Sequence, residues 1–279
     1  MRSERPPPYA TPLERAWYYT LWLICALVLA FLVLPILVIV PLSFSSGTFL
    51  TFPLPGFSLR WYEELFTSAP WQLSLRNSLI VAAATTALAT VLGTLASLGL
   101  ARAGFPGKAL LMAVLISPMV VPLVIVAVGV YFFFAPLGLT SSLVGLALAH
   151  TALAVPFVVI TVSATLQGLD PNQARAAASL GASPAVAFFR VTLPLILPGI
   201  VSGALFAFVT SFDEVVVALF VTGPAERTLP RQMFNGIREN ISPVIAAAAT
   251  LLIALSVALM ATIEWLRRRN ERLRGIHAS

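Results

Sequence analysis

Two adjacent acidic residues, Asp213 and Glu214, lie in the middle of a long apolar stretch of the sequence. A charged side chain at the centre of a bilayer costs about 2.5–3.5 kcal/mol on insertion scales, so it normally faces a cavity or a partner. The chain has 11 acidic residues, and the others lie outside the apolar stretches or at the end of one. Two carboxylates at this depth are suited to attracting a cation.

Three neighbours share the surroundings of these acids if the stretch forms one continuous helix. Phe206, Asp213 and Phe220 are spaced seven residues apart and then share a face, and Thr210 lies one turn before the acids. Aromatic rings beside a carboxylate add cation–π attraction for an ammonium group. We therefore take Asp213, Glu214, Thr210, Phe206 and Phe220 as candidate substrate-path residues for an ammonium-bearing solute such as a diamine or polyamine.

A packing role is the alternative for either acid. Adjacent residues on a helix point about 100° apart, so only one of Asp213 and Glu214 is expected to face the path. His150, in another apolar stretch, is expected to be a hydrogen-bonded interior residue rather than a proton relay.

The composition of the chain requires a membrane setting for these residues. Of the 279 residues, 59% are hydrophobic and 10% are charged, which is more apolar side chain than a soluble domain buries. Runs of about 20 apolar residues are long enough to cross a hydrocarbon core, and in lipid such runs form helices. The sequence therefore predicts an all-α, polytopic membrane protein.

Six apolar segments are predicted to cross the membrane. They are residues 17–42, 78–101, 109–135, 141–166, 194–222 and 243–266. Of the 17 Lys and Arg residues, 12 fall on the side of the two termini, so both termini are expected in the cytoplasm. The predicted organisation is an N-terminal tail (1–16), a transmembrane domain (17–266) with a cytoplasmic loop (168–193), and a basic tail (267–279).

No enzyme site is predicted from the sequence. The sequence has no phosphate-binding glycine-rich loop, no nucleophile paired with a base and no metal-ligand spacing. Its single cysteine, Cys25, lies in the first apolar segment without a partner. We predict no catalytic residue, no metal and no cofactor in this chain.

The loop 168–193 is too polar and too broken to cross a bilayer. Asp170 is a plausible N-cap for a short helix, and Gly181 permits the turn that ends it. Leu193 and Pro194 then begin the fifth segment. A short helix rigidly joined to a span is a suitable contact for a protein that drives the span mechanically.

The spacing in QARAAASLGASPAVAFFRVTLP (173–194) resembles the coupling loop, or EAA motif, of ABC importer permeases of the binding-protein-dependent type. In that motif, E-A-A is followed by three residues, Gly, nine residues, and Ile, any residue, Leu-Pro. Arg175 stands where the motif has Glu, which inverts the charge at that position. The residues assigned to ATPase coupling by this resemblance are Arg175, Ala176, Ala177, Gly181, Ala182, Ser183, Leu193 and Pro194.

Two further segments resemble the same family. SLRNSLIVAAATTALATVLGTLASLGLAR (74–102) looks like the start of the permease core. SFDEVVVALFVTGP (211–224) is similar to the fifth span of the spermidine/putrescine permease family, the PotC type. The resemblance extends from about residue 35 to 267 and implies a type I ABC importer permease fold.

The resemblance also implies a function and partners. The chain would translocate polyamines by alternating access across the bacterial inner membrane. It would pair with a second, homologous permease subunit, two ATP-binding subunits that hold ATP and Mg, and a periplasmic substrate-binding protein, with no nucleic acid.

Alternative functions remain open at this stage. Within the same family the substrate is alternatively an opine, GABA or an aminophosphonate. A stand-alone secondary transporter or channel predicts ionisable residues on several spans or an inverted repeat, and neither is evident in the sequence. A membrane-embedded enzyme requires a catalytic constellation inside the bundle, and the sequence presents none.

Overall fold

A computed structural model describes residues 11–102, 104, 106–239 and 241–273 of the chain. Within those ranges every regular element is a helix, and one isolated β-bridge joins Ser45 to Phe57. The predicted all-α fold is therefore confirmed. Residues 1–10 of the predicted N-terminal tail and 274–279 of the basic tail lie outside the described residues.

Twelve α-helices make up the described part of the chain. They are α1 (Pro12–Ser43), α2 (Arg60–Thr67), α3 (Ala69–Arg102), α4 (Lys108–Val120), α5 (Leu123–Phe134), α6 (Leu143–Gln167), α7 (Pro171–Ser179), α8 (Pro184–Ala187), α9 (Leu193–Phe212), α10 (Val216–Val221), α11 (Leu229–Glu239) and α12 (Pro243–Leu273). A 3₁₀ turn (Ala135–Leu137) follows α5, and a π-helical turn (Phe188–Thr192) joins α8 to α9.

Five helical segments in the described ranges are long and apolar enough to cross a membrane. They are α1, α3, α6, the continuous stretch Pro184–Phe212 and the part of α12 from Pro243 to Thr262. The number becomes six if α4 and α5 together form one span, although the chain bends by 106° between them.

The third predicted segment, residues 109–135, is not one continuous helix as expected. Val121 has extended backbone angles (φ −71°, ψ 135°), and Pro122 follows it. Proline has no N–H to donate and disfavours the helical conformation in the residue before it. These two effects break the segment into α4 and α5.

The fifth predicted segment, residues 194–222, is also broken, which corrects the expectation of one helix. Helix α9 ends at Phe212, Val215 leaves helical geometry (φ −120°, ψ −33°), and α10 begins at Val216. We call residues 213–215 the α9–α10 break. The two acids therefore lie at a break rather than in the middle of a helix.

Helices α3, α6 and α9 pack against one another at the centre of the bundle. Val158 of α6 is completely buried and contacts a glycine on each side. A Cβ on Gly93 of α3 would lie 2.7 Å from the Val158 Cβ, and one on Gly203 of α9 would lie 2.9 Å from the Val158 Cα. Small residues let membrane helices approach closely, so these glycines allow the three helices to pack.

The remaining helices surround this centre. Helix α5 packs against α10, and their buried core includes Ala127, Val217 and Val221. Helix α1 packs mainly against α12, and Ser43 is its only buried residue. Helix α2 is a short amphipathic helix, whose Trp61 and Leu65 are buried against α12.

Candidate functional site

Helix α9 carries the first three candidate residues in the predicted register. The Asp213 N–H donates to the Val209 carbonyl at 3.0 Å, so the helical geometry extends to Asp213. Phe206, Thr210 and Asp213 therefore share a face of α9. Phe220 belongs to α10, beyond the break, so the continuous helix from which its shared face was predicted is not present.

Asp213 presents an open carboxylate. Its side chain is exposed, and it accepts no hydrogen bond from the described residues. On the same face of α9, Thr210 is half-buried, and Phe206 stacks on Phe157 of α6 with ring centroids 6.1 Å apart. One face of α9 thus carries an unpaired carboxylate and, about two turns away, a pair of aromatic rings, and both kinds of group attract a positively charged solute.

Glu214 lies in the opposite environment. Its side chain is buried, and its Oε1 accepts the Val217 N–H at 2.7 Å. Its Oε2 accepts the Ala218 N–H at 3.0 Å and lies 3.1 Å from His150 Nε2. Both carboxylate oxygens are therefore occupied, and they satisfy the first free N–H groups of α10.

His150 of α6 connects the two sides of the α9–α10 break. Its ring is 1% exposed, with Nε2 next to Glu214 and Nδ1 2.9 Å from the Ser211 Oγ. The tautomer assigned from this network has Nε2–H donating to Glu214 and Nδ1 accepting the Ser211 O–H. The expectation of a hydrogen-bonded interior histidine is confirmed.

The sequence analysis missed the pairing of His150 with Glu214 and the contribution of Ser211 and Phe157. One signal was present, because a buried ionisable residue in a membrane helix normally pairs with another, and His150 and Glu214 lie on neighbouring predicted spans. No sequence signal distinguishes Ser211 or Phe157 from other residues of their types.

The loop after α10 is fastened to α3 and α11. Asn77 Nδ2 donates to the Arg227 carbonyl at 3.0 Å, and Arg231 Nη1 donates to the carbonyls of Thr222 (2.6 Å) and Gly223 (2.9 Å). Burial, together with the neighbouring Arg227 guanidinium, lowers the pKa of Arg231 from its usual value. This loop fixes the end of α10 that lies away from the break.

The predicted coupling segment, meaning residues 170–194, has the local structure expected of it. Asp170 caps α7 by accepting the Asn172 N–H at 2.9 Å. Gly181 ends the helix with a positive φ of 85°, and the Ala182 N–H reaches the Ala177 carbonyl at 3.0 Å. This is the Schellman arrangement in which glycine is favoured, so the predicted cap and turn are confirmed.

Most of the coupling residues are accessible. Arg175, Ala176, Ser183 and Pro194 are exposed, and Ala177, Ala182 and Leu193 are half-buried. Leu180, between them, is 89% exposed. The segment thus offers an apolar and basic surface that the described residues of this chain do not cover.

The described residues contain no group of three or more His, Cys, Asp and Glu side chains placed to hold a metal ion. The α9–α10 break offers one open carboxylate, one carboxylate that is hydrogen-bonded to a histidine ring, and nearby aromatic rings.

Comparisons with known proteins agree with this architecture. The family described as "binding-protein-dependent transport system inner membrane component" matches residues 89–272. The spermidine/putrescine transport system permease protein PotC of Haemophilus influenzae is 34% identical over 87% of this chain and 94% of its own. The putrescine transport system permease protein PotI of Escherichia coli K12 is 35% identical over 91% of this chain and 94% of its own.

A solved structure shares the fold. It is the crystal structure of a bacterial ABC transporter involved in the import of the acidic polysaccharide alginate, with a TM-score of 0.70 and 14% sequence identity over 92% of this chain and 98% of that chain. From the family match and the two curated relatives, the chain belongs to the binding-protein-dependent transport system inner membrane components, as a multi-pass importer permease related to PotC.

Proposed function

We propose that this chain is the permease subunit of an ATP-driven ABC importer that moves polyamines such as putrescine and spermidine across the bacterial inner membrane. The observation that carries the substrate class is the open carboxylate of Asp213 at the α9–α10 break. An ammonium group supplies the positive charge that this carboxylate lacks among the described residues. The names of the PotC and PotI relatives support the same substrate class.

The position of Asp213 suits capture of a cation early on its path. Helix α9 has 20 residues and is about 30 Å long, close to the thickness of a hydrocarbon core. The coupling segment is at one end of α9 and Asp213 is at the other. With the coupling segment in the cytoplasm, Asp213 lies toward the outer side of the membrane, and Thr210 and Phe206 follow it inward.

The coupling segment is proposed to transmit the movement of the ATPase. Two ATP-binding subunits, which hold ATP and Mg, would contact α7 and the Gly181 turn. The π-helical turn continues directly into α9, so displacement of α7 is passed to the helix that carries Asp213. Alternating access then follows from the tilting of α9 and the helices packed on it, with a second permease subunit completing the path and a periplasmic protein delivering substrate.

Uptake of labelled putrescine and spermidine tests this proposal. Cells carrying the complete system are compared with cells carrying Asp213→Asn, which keeps the size of the side chain and removes its charge. Glu63→Gln is the matched control, because Glu63 is an exposed acid on α2 away from the break. We expect Asp213→Asn to lower uptake by about tenfold or more, as for loss of a charged contact, and Glu63→Gln to leave it unchanged.

Assembly of each variant with its partner subunits is checked by co-purification. Normal uptake by an assembled Asp213→Asn importer excludes Asp213 from the substrate path. Absence of polyamine uptake by the unaltered importer overturns the substrate class, and an opine, GABA or an aminophosphonate is then tested in the same cells.

A further inference from the structure

Two hydrogen bonds to one side chain of α6, His150, connect α6 to the residues on either side of Asp213. Ser211 precedes the exposed Asp213 and Glu214 follows it, and both bind the ring of His150. The three side chains are buried, whereas Asp213 between them is exposed. We call Ser211, His150 and Glu214 the buried brace.

The hydrogen bonds of the brace leave little freedom to the backbone beside Asp213. The Glu214 carboxylate accepts from one ring and from two N–H groups of α10, so it also fixes where α10 begins. A buried carboxylate is stable only when it is hydrogen-bonded in this way, and removal of one donor leaves a large penalty. The brace therefore selects one conformation of the break.

The helix that carries His150 is well packed inside the bundle. His150 lies in α6, the most buried of the apolar helices in the described ranges. His150 is seven positions after Leu143, the first residue of α6, so the brace lies about 10 Å along the helix. Because α6 packs against both α3 and α9, the His150 ring gives the break a fixed point of attachment.

We propose that His150 is a positioning residue, which with Ser211 and Glu214 orients the Asp213 carboxylate toward the substrate path. The inference rests on the proposed function and deepens it, because it assigns different roles to the two adjacent acids. Asp213 contacts the cation. Glu214 does not contact the substrate but holds the break through His150 and the start of α10.

Two substitutions of His150 separate the brace from simple packing. His150→Phe keeps a buried ring and removes both nitrogens, whereas His150→Gln keeps an N–H donor that can reach Glu214. We expect His150→Phe to lower polyamine uptake per assembled importer by about tenfold and His150→Gln to restore most of it. Equal uptake by the two variants would show that the nitrogens have no role.

A double-mutant cycle tests whether His150 acts through Asp213. If it does, adding His150→Phe to Asp213→Asn lowers uptake no further, because the carboxylate that the brace orients is already absent. If the double variant instead loses uptake by the product of the two single fold-losses, the proposal is overturned. His150 then acts independently of Asp213, as a structural residue.

A second measurement does not depend on the substrate. Asp213→Cys is introduced together with Cys25→Ser, and its thiol is modified with an ammonium-bearing methanethiosulfonate reagent. The rate of modification is measured in the variant that keeps His150 and in those that also carry His150→Phe or His150→Gln. We expect about a tenfold change of rate with His150→Phe and little change with His150→Gln. An unchanged rate with His150→Phe overturns the brace.

The two proposals fail in different ways. Normal uptake by Asp213→Asn overturns the substrate role, and the thiol measurement still decides the brace. Where His150→Phe does not assemble, Ser211→Ala provides a milder variant that removes only the bond to Nδ1. It is expected to change the thiol rate in the same direction by a smaller factor, and no change overturns the brace.

Discussion

At the scale of single residues, two neighbouring carboxylates meet opposite electrostatic conditions. Glu214 accepts three hydrogen bonds inside the bundle, whereas the Asp213 carboxylate accepts none from the described residues. The energetic cost of placing charge in the membrane is therefore largely offset at Glu214. At Asp213 no described residue of this chain supplies such an offset, which is the condition expected of a substrate contact.

The stability of the protein should distinguish the two acids. Glu214→Gln replaces one carboxylate oxygen by an NH₂ group, which meets the N–H donors of α10 or of His150 and cannot accept from them. We expect it to lower the free energy of unfolding by about 1–3 kcal/mol. Asp213→Asn should change it by less than about 0.5 kcal/mol, as for a surface substitution. Thermal unfolding of the detergent-solubilised complex measures both.

This comparison also tests the assignment of roles independently of transport. Equal stability of the two variants would mean that the buried hydrogen bonds of Glu214 contribute nothing net. A larger loss for Asp213→Asn would contradict its description as an open, unpaired carboxylate.

The sequence did not predict which of Asp213 and Glu214 is exposed and which is buried. Helix geometry showed that the two side chains diverge, but the outcome depends on the break, which frees N–H groups that Glu214 caps. The break has no proline or glycine between residues 212 and 216, so no local signal marks it. Helix α10 packs on α5 and α6, and contacts between such distant parts of the chain cannot be read from the local sequence.

At the scale of helices, the composition of the apolar runs predicted which segments are helical but did not predict where a helix is broken. The apolar runs correctly placed α1, α3, α6, α9 and α12 because length and hydropathy define a span. Apolar residues lie on both sides of each break, so each broken segment still has the composition of one span. Pro122 did mark the α4–α5 bend, but prolines inside membrane helices are also tolerated as mild kinks.

The coupling segment was predictable in more detail, because its signals are local. Asp170, the proline after it and Gly181 act through hydrogen bonds and backbone angles within a few residues. The π-helical turn before α9 was not predicted. It inserts an extra residue into the helical turn at the junction where movement would pass from α7 to α9.

Gly181 provides a test of the coupling role at the element scale. Its φ of 85° favours glycine, and a Cβ there would meet nothing within 4 Å among the described residues. Gly181→Val is therefore disfavoured by backbone conformation rather than by a clash, at a cost of about 1–2 kcal/mol. We expect uptake and substrate-stimulated ATPase activity to fall by about tenfold, and Gly181→Asn, which tolerates this conformation, to retain most of both.

Gly168→Val is the control for this substitution. Gly168 ends α6 just before the coupling segment and has an ordinary φ of −83°. We expect the Gly168→Val importer to assemble and to transport polyamines at nearly the normal rate. Normal transport by an assembled Gly181→Val importer would count against a coupling role for the turn.

At the scale of the whole molecule, the charge distribution and the bent pair α4–α5 must give a consistent topology. Twelve of the 17 basic residues lie on the predicted cytoplasmic side, which places residues 102–108 and the coupling segment on the same side of the membrane. That arrangement requires an even number of crossings between them. Since α6 is one crossing, α4 and α5 together must supply the other despite their 106° bend.

Single-cysteine labelling tests whether α4 and α5 together cross the membrane once. In a Cys25→Ser background, cysteine is placed at Phe57, Pro106, Leu137 or Leu180, which are all exposed and lie in four successive connections. We expect a membrane-impermeant maleimide to label positions 57 and 137 in intact cells. Positions 106 and 180 should react only after the inner membrane is permeabilised.

Leu137 is the deciding position, because it immediately follows α5. If it is protected together with Pro106, the α4–α5 pair enters and leaves on one side, and α6 then carries Leu180 to the outside. A coupling segment outside the cell cannot contact an ATPase that hydrolyses cytoplasmic ATP, so that result would overturn the proposed mechanism together with the topology. Labelling of Leu137 in intact cells, with Leu180 protected, fixes α4–α5 as a true span and leaves Asp213 toward the outer end of α9.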